Sequence, residues 1–255
     1  MNAATAERTA SAALLSTIAN DSLEADRSAS LMNMCSAIKV EDTGESVPDF
    51  RAQRRAARRA ENRAEILDAA ELVFGEQGFQ AGSLRQIAVR SGFSPAAIYM
   101  FFENKQHLVS ETLTRRAAEL VGALQAVAEG DLSPLDKLHA IVDVTVAFFE
   151  ARPGFRRLVR HMTGGSAIVG SAFSEFASDG DGYFMDAMNL LARIVERGQE
   201  VGEIREGDAH AIAHFFSVLV NEHILLTASG ASNIAPLTAE QFHGLIDGTL
   251  GSPTR

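Results

Sequence analysis

The sequence predicts an all-α fold, and three observations carry that prediction. From about Arg51 onward, apolar residues recur at the i, i+3, i+4 and i+7 spacing of a helix face. Hydroxyl residues, twice followed by proline, mark helix starts, and glycines mark stops. No alternating polar and apolar run of useful length signals a strand.

The elements follow in chain order. Residues 1–50 are rich in Ala, Ser, Asp and Glu and lack an amphipathic pattern, so they are expected to be a mostly disordered extension. Ile66, Leu67, Ala70, Val73 and Phe74 share one face of a first helix that Gly78 should end. A second helix is expected over Ser83–Ser91, closed by Gly92, and a third from Ser94-Pro95 to near Phe102. Longer helices are expected over about Gln106–Ala128 and from Ser133-Pro134 to Ala151, where Pro153 stops the second. A short helix over Gly154–Met162 precedes a Gly/Ser-rich loop, Gly164–Asp181, with a helical fragment near Phe173–Phe176. Helices over Tyr183–Gln199, Asp208–Ala228 and Thr238–Leu250 complete the chain, the last opened by the capping box of Thr238 and Gln241.

Bulk properties narrow the function. The 255 residues are 46% hydrophobic, enough for a real core. Cys35 is the one cysteine, which excludes an intramolecular disulfide and fits a reducing cytoplasm. No uninterrupted apolar run of membrane-spanning length and no signal peptide are read, so no membrane partner is expected. The net charge of −10 is unevenly spread. Residues 51–116 carry 11 Lys/Arg against 7 Asp/Glu, a net of +4 inside an otherwise acidic chain. One basic segment on an acidic body suits a protein that meets phosphates at one end only.

That segment holds the most specific motif. A helix-turn-helix needs a small residue where its helices cross, a glycine four positions later at the turn, and a branched apolar residue six further on. Ala88, Gly92 and Ile98 satisfy all three. The flanks Gly78-Phe79-Gln80-Ala81-Gly82-Ser83-Leu84-Arg85-Gln86-Ile87-Ala88, then Gly92-Phe93-Ser94, Ile98-Tyr99, Phe102, Lys105 and Leu108, closely resemble the N-terminal signature of the TetR family of bacterial regulators. The match runs without a gap over about residues 60–110. Gly82 stands where the family usually has threonine, and Met100-Phe101 replaces its usual aromatic or histidine pair.

The resemblance implies a DNA-binding domain over about residues 51–105 and a helical ligand-sensing and dimerisation domain over 106–255. Side-chain chemistry assigns the expected DNA contacts. Ser83, Ser94, Tyr99 and Lys105 would donate to phosphates, Arg85 is the candidate for a guanine, and Leu84, Pro95, Ala96, Ala97 and Met100 complete the face. Arg55, Arg58 and Arg59, with Arg51 and Arg54, read as a basic arm or as a solvated helix extension.

In the C-terminal half, Phe149, Phe155, Met162, Phe184 and Met188 are the expected apolar lining of a ligand cavity, with His161, His214 and Asn221 as orienting polar groups. Most such residues serve plain packing. Phe216, Leu219, His223, Leu226, Phe242, Leu245 and Ile246, on the last two helices, are the expected dimer interface. No cofactor, metal set or catalytic constellation is read: His210 and His214 lack further ligands, and Asn221, Glu222 and His223 point in different directions along one helix. The expectation is a cytoplasmic, nucleoid-associated homodimer on a palindromic operator, probed against two alternatives, an apolar-ligand carrier and an enzyme. It is further expected to act as a repressor released by a small hydrophobic effector.

Overall fold

A computed structural model describes residues 50–163, 180–228 and 237–252. The expected disordered extension, the loop Gly164–Asp181 and its fragment Phe173–Phe176 lie almost wholly outside those residues. The chain divides into residues 1–53 and 54–255. Of the first unit only Phe50–Gln53 is described, and it is helical.

The described residues form nine helices: α1 (Phe50–Ala81), α2 (Leu84–Ser91), α3 (Pro95–Tyr99), α4 (Lys105–Glu129), α5 (Pro134–Glu150), α6 (Pro153–Met162), α7 (Gly180–Glu200), α8 (Ala209–Ala228) and α9 (Ala239–Leu250). The fold is all-α as expected. The one strand-type pairing among the described residues is a single antiparallel bridge, Ile204 with Gly251, where Arg205 N donates to Leu250 O and ties the residues after α9 to the α7–α8 connection.

Local chemistry sets the boundaries. Ser83, Asn104, Ser133 and Thr238 each accept a hydrogen bond from a first-turn amide as N-caps, and Ser94 does so before Pro95. Gly78 breaks α1 at φ 77°, but the chain resumes one further turn to Ala81 and does not stop there. The third helix is shorter than expected. It ends at Tyr99, because Met100 and Phe101 bond back three residues, to Ala97 and Ile98, and tighten the turn.

Two packed groups result. In the N-terminal one, Ile66, Ala70 and Phe74 of α1 meet Ile87 of α2, Ile98 of α3 and Phe102, all nearly or fully buried. Burying each large apolar side chain contributes about 1.5–3 kcal/mol. In the other, α4 and α5 pack on α7, and α7 packs on α8. α9 lies against α5, where the rings of His139 and His243 stack 4.6 Å apart. Each reaches an aspartate of the opposite helix: His139 Nε2 is 2.8 Å from Asp247, and His243 Nε2 is 2.9 Å from Asp143.

α1 joins the two groups through charge and close backbone approach. Arg116 of α4 donates to buried Glu71 at 2.7 Å, and Arg115 donates to Asp68 at 2.6 Å. Burial alone would lower the Arg116 guanidinium, but Glu71 and Glu119 together hold it above its ordinary value. α6 runs against the same helix, with Gly154 beside Gly75 and the His161 ring beside Gly78. α8 differs from the sequence reading in one respect: by length and composition it is apolar enough to cross a membrane. Its Ala213, Phe216, Val220 and Ile224 face is nevertheless buried in the bundle.

Candidate nucleic-acid interface and apolar slot

The turn between α2 and α3 is built around Gly92. It takes φ 75°, the left-handed region that side chains other than glycine's resist, and it caps α2. The turn sets α3 across α2 with Ile98 fully buried between them and α1. The opposite side of α3 faces outward. Pro95, Ala96, Tyr99 and Met100 are exposed, Met100 by 72%, while Ala97 is half-buried. Arg85 is exposed on α2, in a shallow depression with Gln77, Gln86 and Arg90; Leu84 is half-buried against the core. Arg90 reaches Glu76 at 2.7 Å, and its hydrogen bond holds the Glu76 carboxyl below the usual carboxylate range.

Several expected phosphate donors already have partners within the chain. Ser83 Oγ accepts from the Gln86 amide and donates to the Gln86 side chain, completing a capping box. Lys105 Nζ donates to Gln80 O at 3.1 Å and lies 4.6 Å from the Phe79 ring centre. Arg59 donates to Met100 O at 3.4 Å, with its guanidinium over Phe101. Arg55 and Arg58 sit on the exposed start of α1, so the arginine run is a helical extension of that element.

The larger group holds an apolar slot of about 120 Å³. α4 contributes Ala117, Leu120, Val121 and Leu124; α5 contributes Ile141 and Thr145; α7 contributes Tyr183, Phe184, Ala187, Met188 and Leu191; α8 contributes Phe216, Ser217, Val220 and Asn221. Thr145 and Ser217 donate their hydroxyls to their own helices, at Ile141 O and His214 O. Asn221 is therefore, with the Tyr183 hydroxyl, the polar side chain left on a largely hydrocarbon wall.

Of the expected ligand-lining residues, Phe184, Met188 and Asn221 meet at the slot. Phe149 and Phe155 do not: they are buried and stacked on each other 5.4 Å apart, as core. His161 packs at the α1 break, Met162 lies half-buried against the core, and His214 is exposed on the outer side of α8. Tyr183, Thr145 and the α4 residues went unread. The signal for them was a lone tyrosine or hydroxyl inside an apolar helix face.

The expected interface residues also separate. Phe216, His223, Phe242 and Ile246 are buried inside the chain, so no outer surface can be made of them. His223 stacks on Phe242 at 4.5 Å, and burial pushes its imidazole below the ordinary histidine value while Glu150 opposes. Leu219 and Leu226 are half-buried, and Leu245 is exposed, as is Phe215.

A model of the family described as "Bacterial regulatory proteins, tetR family" matches residues 66–112, the stretch that holds the rest of α1, all of α2 and α3, and the start of α4. Over that stretch the chain is similar to the TetR family. It is 33% identical over 92 residues to the transcriptional repressor KstR2 of Mycolicibacterium smegmatis, covering 36% of this chain and 43% of that protein. It is 31% identical over 92 residues to the transcriptional activator FasR of the same organism, covering 36% and 42%. The chain thus spans less than half the length of these curated relatives. Among solved structures, the regulator FadR of Bacillus subtilis in complex with stearoyl-CoA aligns with a TM-score of 0.58 at 16% identity, covering 72% of this chain and 94% of that one. At that identity the likeness is one of fold, and it extends over helices beyond the matched region.

Proposed function

We propose that this protein is a ligand-responsive transcriptional repressor that binds a palindromic operator as a homodimer and leaves it when a small apolar molecule enters the slot. The observation that carries the reading is the outward face of α3, held by the Gly92 turn and flanked by Arg85, Arg59 and Lys105. A domain of this kind enters the major groove with its second helix, and two copies read half-sites about 34–36 Å apart or a multiple of that. The division of labour falls near residue 105: the first three helices hold DNA, and the rest hold ligand and partner copy. The slot supports a hydrophobic effector, since its described walls are almost entirely hydrocarbon. The exposed Phe215 and Leu245 on α8 and α9 support a partner copy docking there. Such a regulator works in the cytoplasm, on the nucleoid.

Footprinting on the DNA around the gene tests this. Two-fold symmetric protection is expected, and Arg85→Ala should weaken binding by about 1–3 kcal/mol and relax preference at one position per half-site. An apolar ligand that stabilises the protein should weaken operator binding by a matching factor, because the coupling is reciprocal. Stabilisation with operator affinity unchanged would instead indicate a carrier.

A further inference from the structure

Base reading through hydrogen bonds uses a short list of side chains. Arginine and lysine pair with guanine, asparagine and glutamine with adenine, and aspartate and glutamate accept from cytosine. α3 carries none of them: it reads Pro95-Ala96-Ala97-Ile98-Tyr99, followed by Met100. Ser94 is occupied as the N-cap, accepting from the Ala97 amide at 3.1 Å. What this helix offers outward is methyl groups, a proline ring, an aromatic face and a thioether. Met100 is 72% exposed and Tyr99 56% exposed, although both are large and largely apolar.

These groups are also held in place. Arg59 donates to the Met100 carbonyl, and Phe102 anchors the following turn in the core. A fixed apolar tip in a major groove has one complementary feature among the four base pairs, the 5-methyl of thymine.

We infer that α3 reads thymine methyls, so that each operator half-site carries a thymine-rich tract beneath Ala96, Tyr99 and Met100. The inference rests on the operator-binding reading above. It assigns base preference on this helix to apolar contact, with Arg59 and Lys105 serving the phosphates and Arg85 reading its one base from α2.

The test begins with selection of binding sites from a random duplex pool by the full chain. The enriched duplex is then made again with deoxyuridine replacing thymidine, one position at a time and throughout the half-site. Deoxyuridine keeps Watson–Crick pairing and removes only the methyl. Each contacted thymine should lose affinity about four-fold, the equivalent of one buried methylene. Full replacement of a half-site should lose more than ten-fold, and thymines outside it should lose nothing. The dependence of affinity on salt should not change, because no phosphate contact is removed. Met100→Gln, at an exposed position that leaves the core intact, should abolish deoxyuridine sensitivity at one thymine and move the selected base there toward adenine. An enriched site with no thymine in the protected half, or one indifferent to deoxyuridine, overturns the inference and leaves the operator reading standing. A pool that yields no enriched sequence overturns both.

Discussion

Gly75 of α1 and Gly154 of α6 approach so closely that a methyl on Gly75 would overlap the Gly154 carbonyl oxygen. The neighbour is backbone and cannot swing aside, so the two helices would have to separate. Gly75→Ala should therefore lower stability by about 1–3 kcal/mol, the usual cost of overpacking. Gly122→Ala is the control. Nothing stands within 4 Å of its would-be Cβ, and it lies at an exposed position of α4. There the helix-propensity gain should raise stability by roughly 0.5–1 kcal/mol. Paired denaturant titrations measure both, and equal effects at the two glycines would remove the close approach as a constraint.

Burial keeps His223 neutral in the folded chain, with its pKa below the ordinary 6.5. The unfolded chain therefore takes up the proton first as pH falls. Its contribution to stability is complete above about pH 6.5 and is lost below it, down through the lowered folded value. Melting temperature should drop more steeply between pH 7 and 5 in the wild type than in His223→Phe, which keeps a ring on Phe242. Parallel slopes in the two proteins would place the pH dependence elsewhere.

Ala187 is the small residue in the α7 wall of the slot. Ala187→Phe should fill the slot. The neutral apolar dye N-phenyl-1-naphthylamine should bind the wild type with a fluorescence increase that the variant loses, while the variant keeps the helicity of the wild type. Undiminished dye binding would move the ligand site to another part of the protein.

The outer faces of α8 and α9 make a different demand. Phe215→Glu and Leu245→Glu place charge on exposed positions, so each should fold with normal helicity and yet scatter light as a monomer. Phe242→Glu should instead unfold the chain, because Phe242 is only 3% exposed and stacks on His223. A dimer mass retained by both surface variants would exclude this face as the interface.

The sequence made some of this legible and hid the rest, and the difference is one of range. Ser94-Pro95, Ser133-Pro134 and Gly92 act within a turn of themselves, so the helix starts and the turn before α3 could be read locally. The end of α3 could not, because the turn in which Met100 and Phe101 bond back to Ala97 and Ile98 carries no glycine or proline to mark it. Apolar periodicity showed that α8 and α9 each have a hidden face, but not what hides it. Phe216, Phe242 and Ile246 turned out to face their own bundle. The same blindness placed Phe149 and Phe155 in the ligand wall, when each is covered by the other. Phe184, Met188 and Asn221 do come together at one slot, where a polar residue stands opposite an apolar face.

Lys105 carries a consequence of its own. A free lysine explores many rotamers, and freezing them costs up to about 2 kcal/mol. In this chain the bond to Gln80 O and the Phe79 ring beneath the ammonium hold the side chain in one place with no other molecule bound. An ammonium has three N–H groups, and Gln80 takes one. The two that remain already point from a fixed position, so a phosphate meeting them would arrest no motion. The lysine behaves less like a tether searching for an anion than like a socket cast when the chain folded.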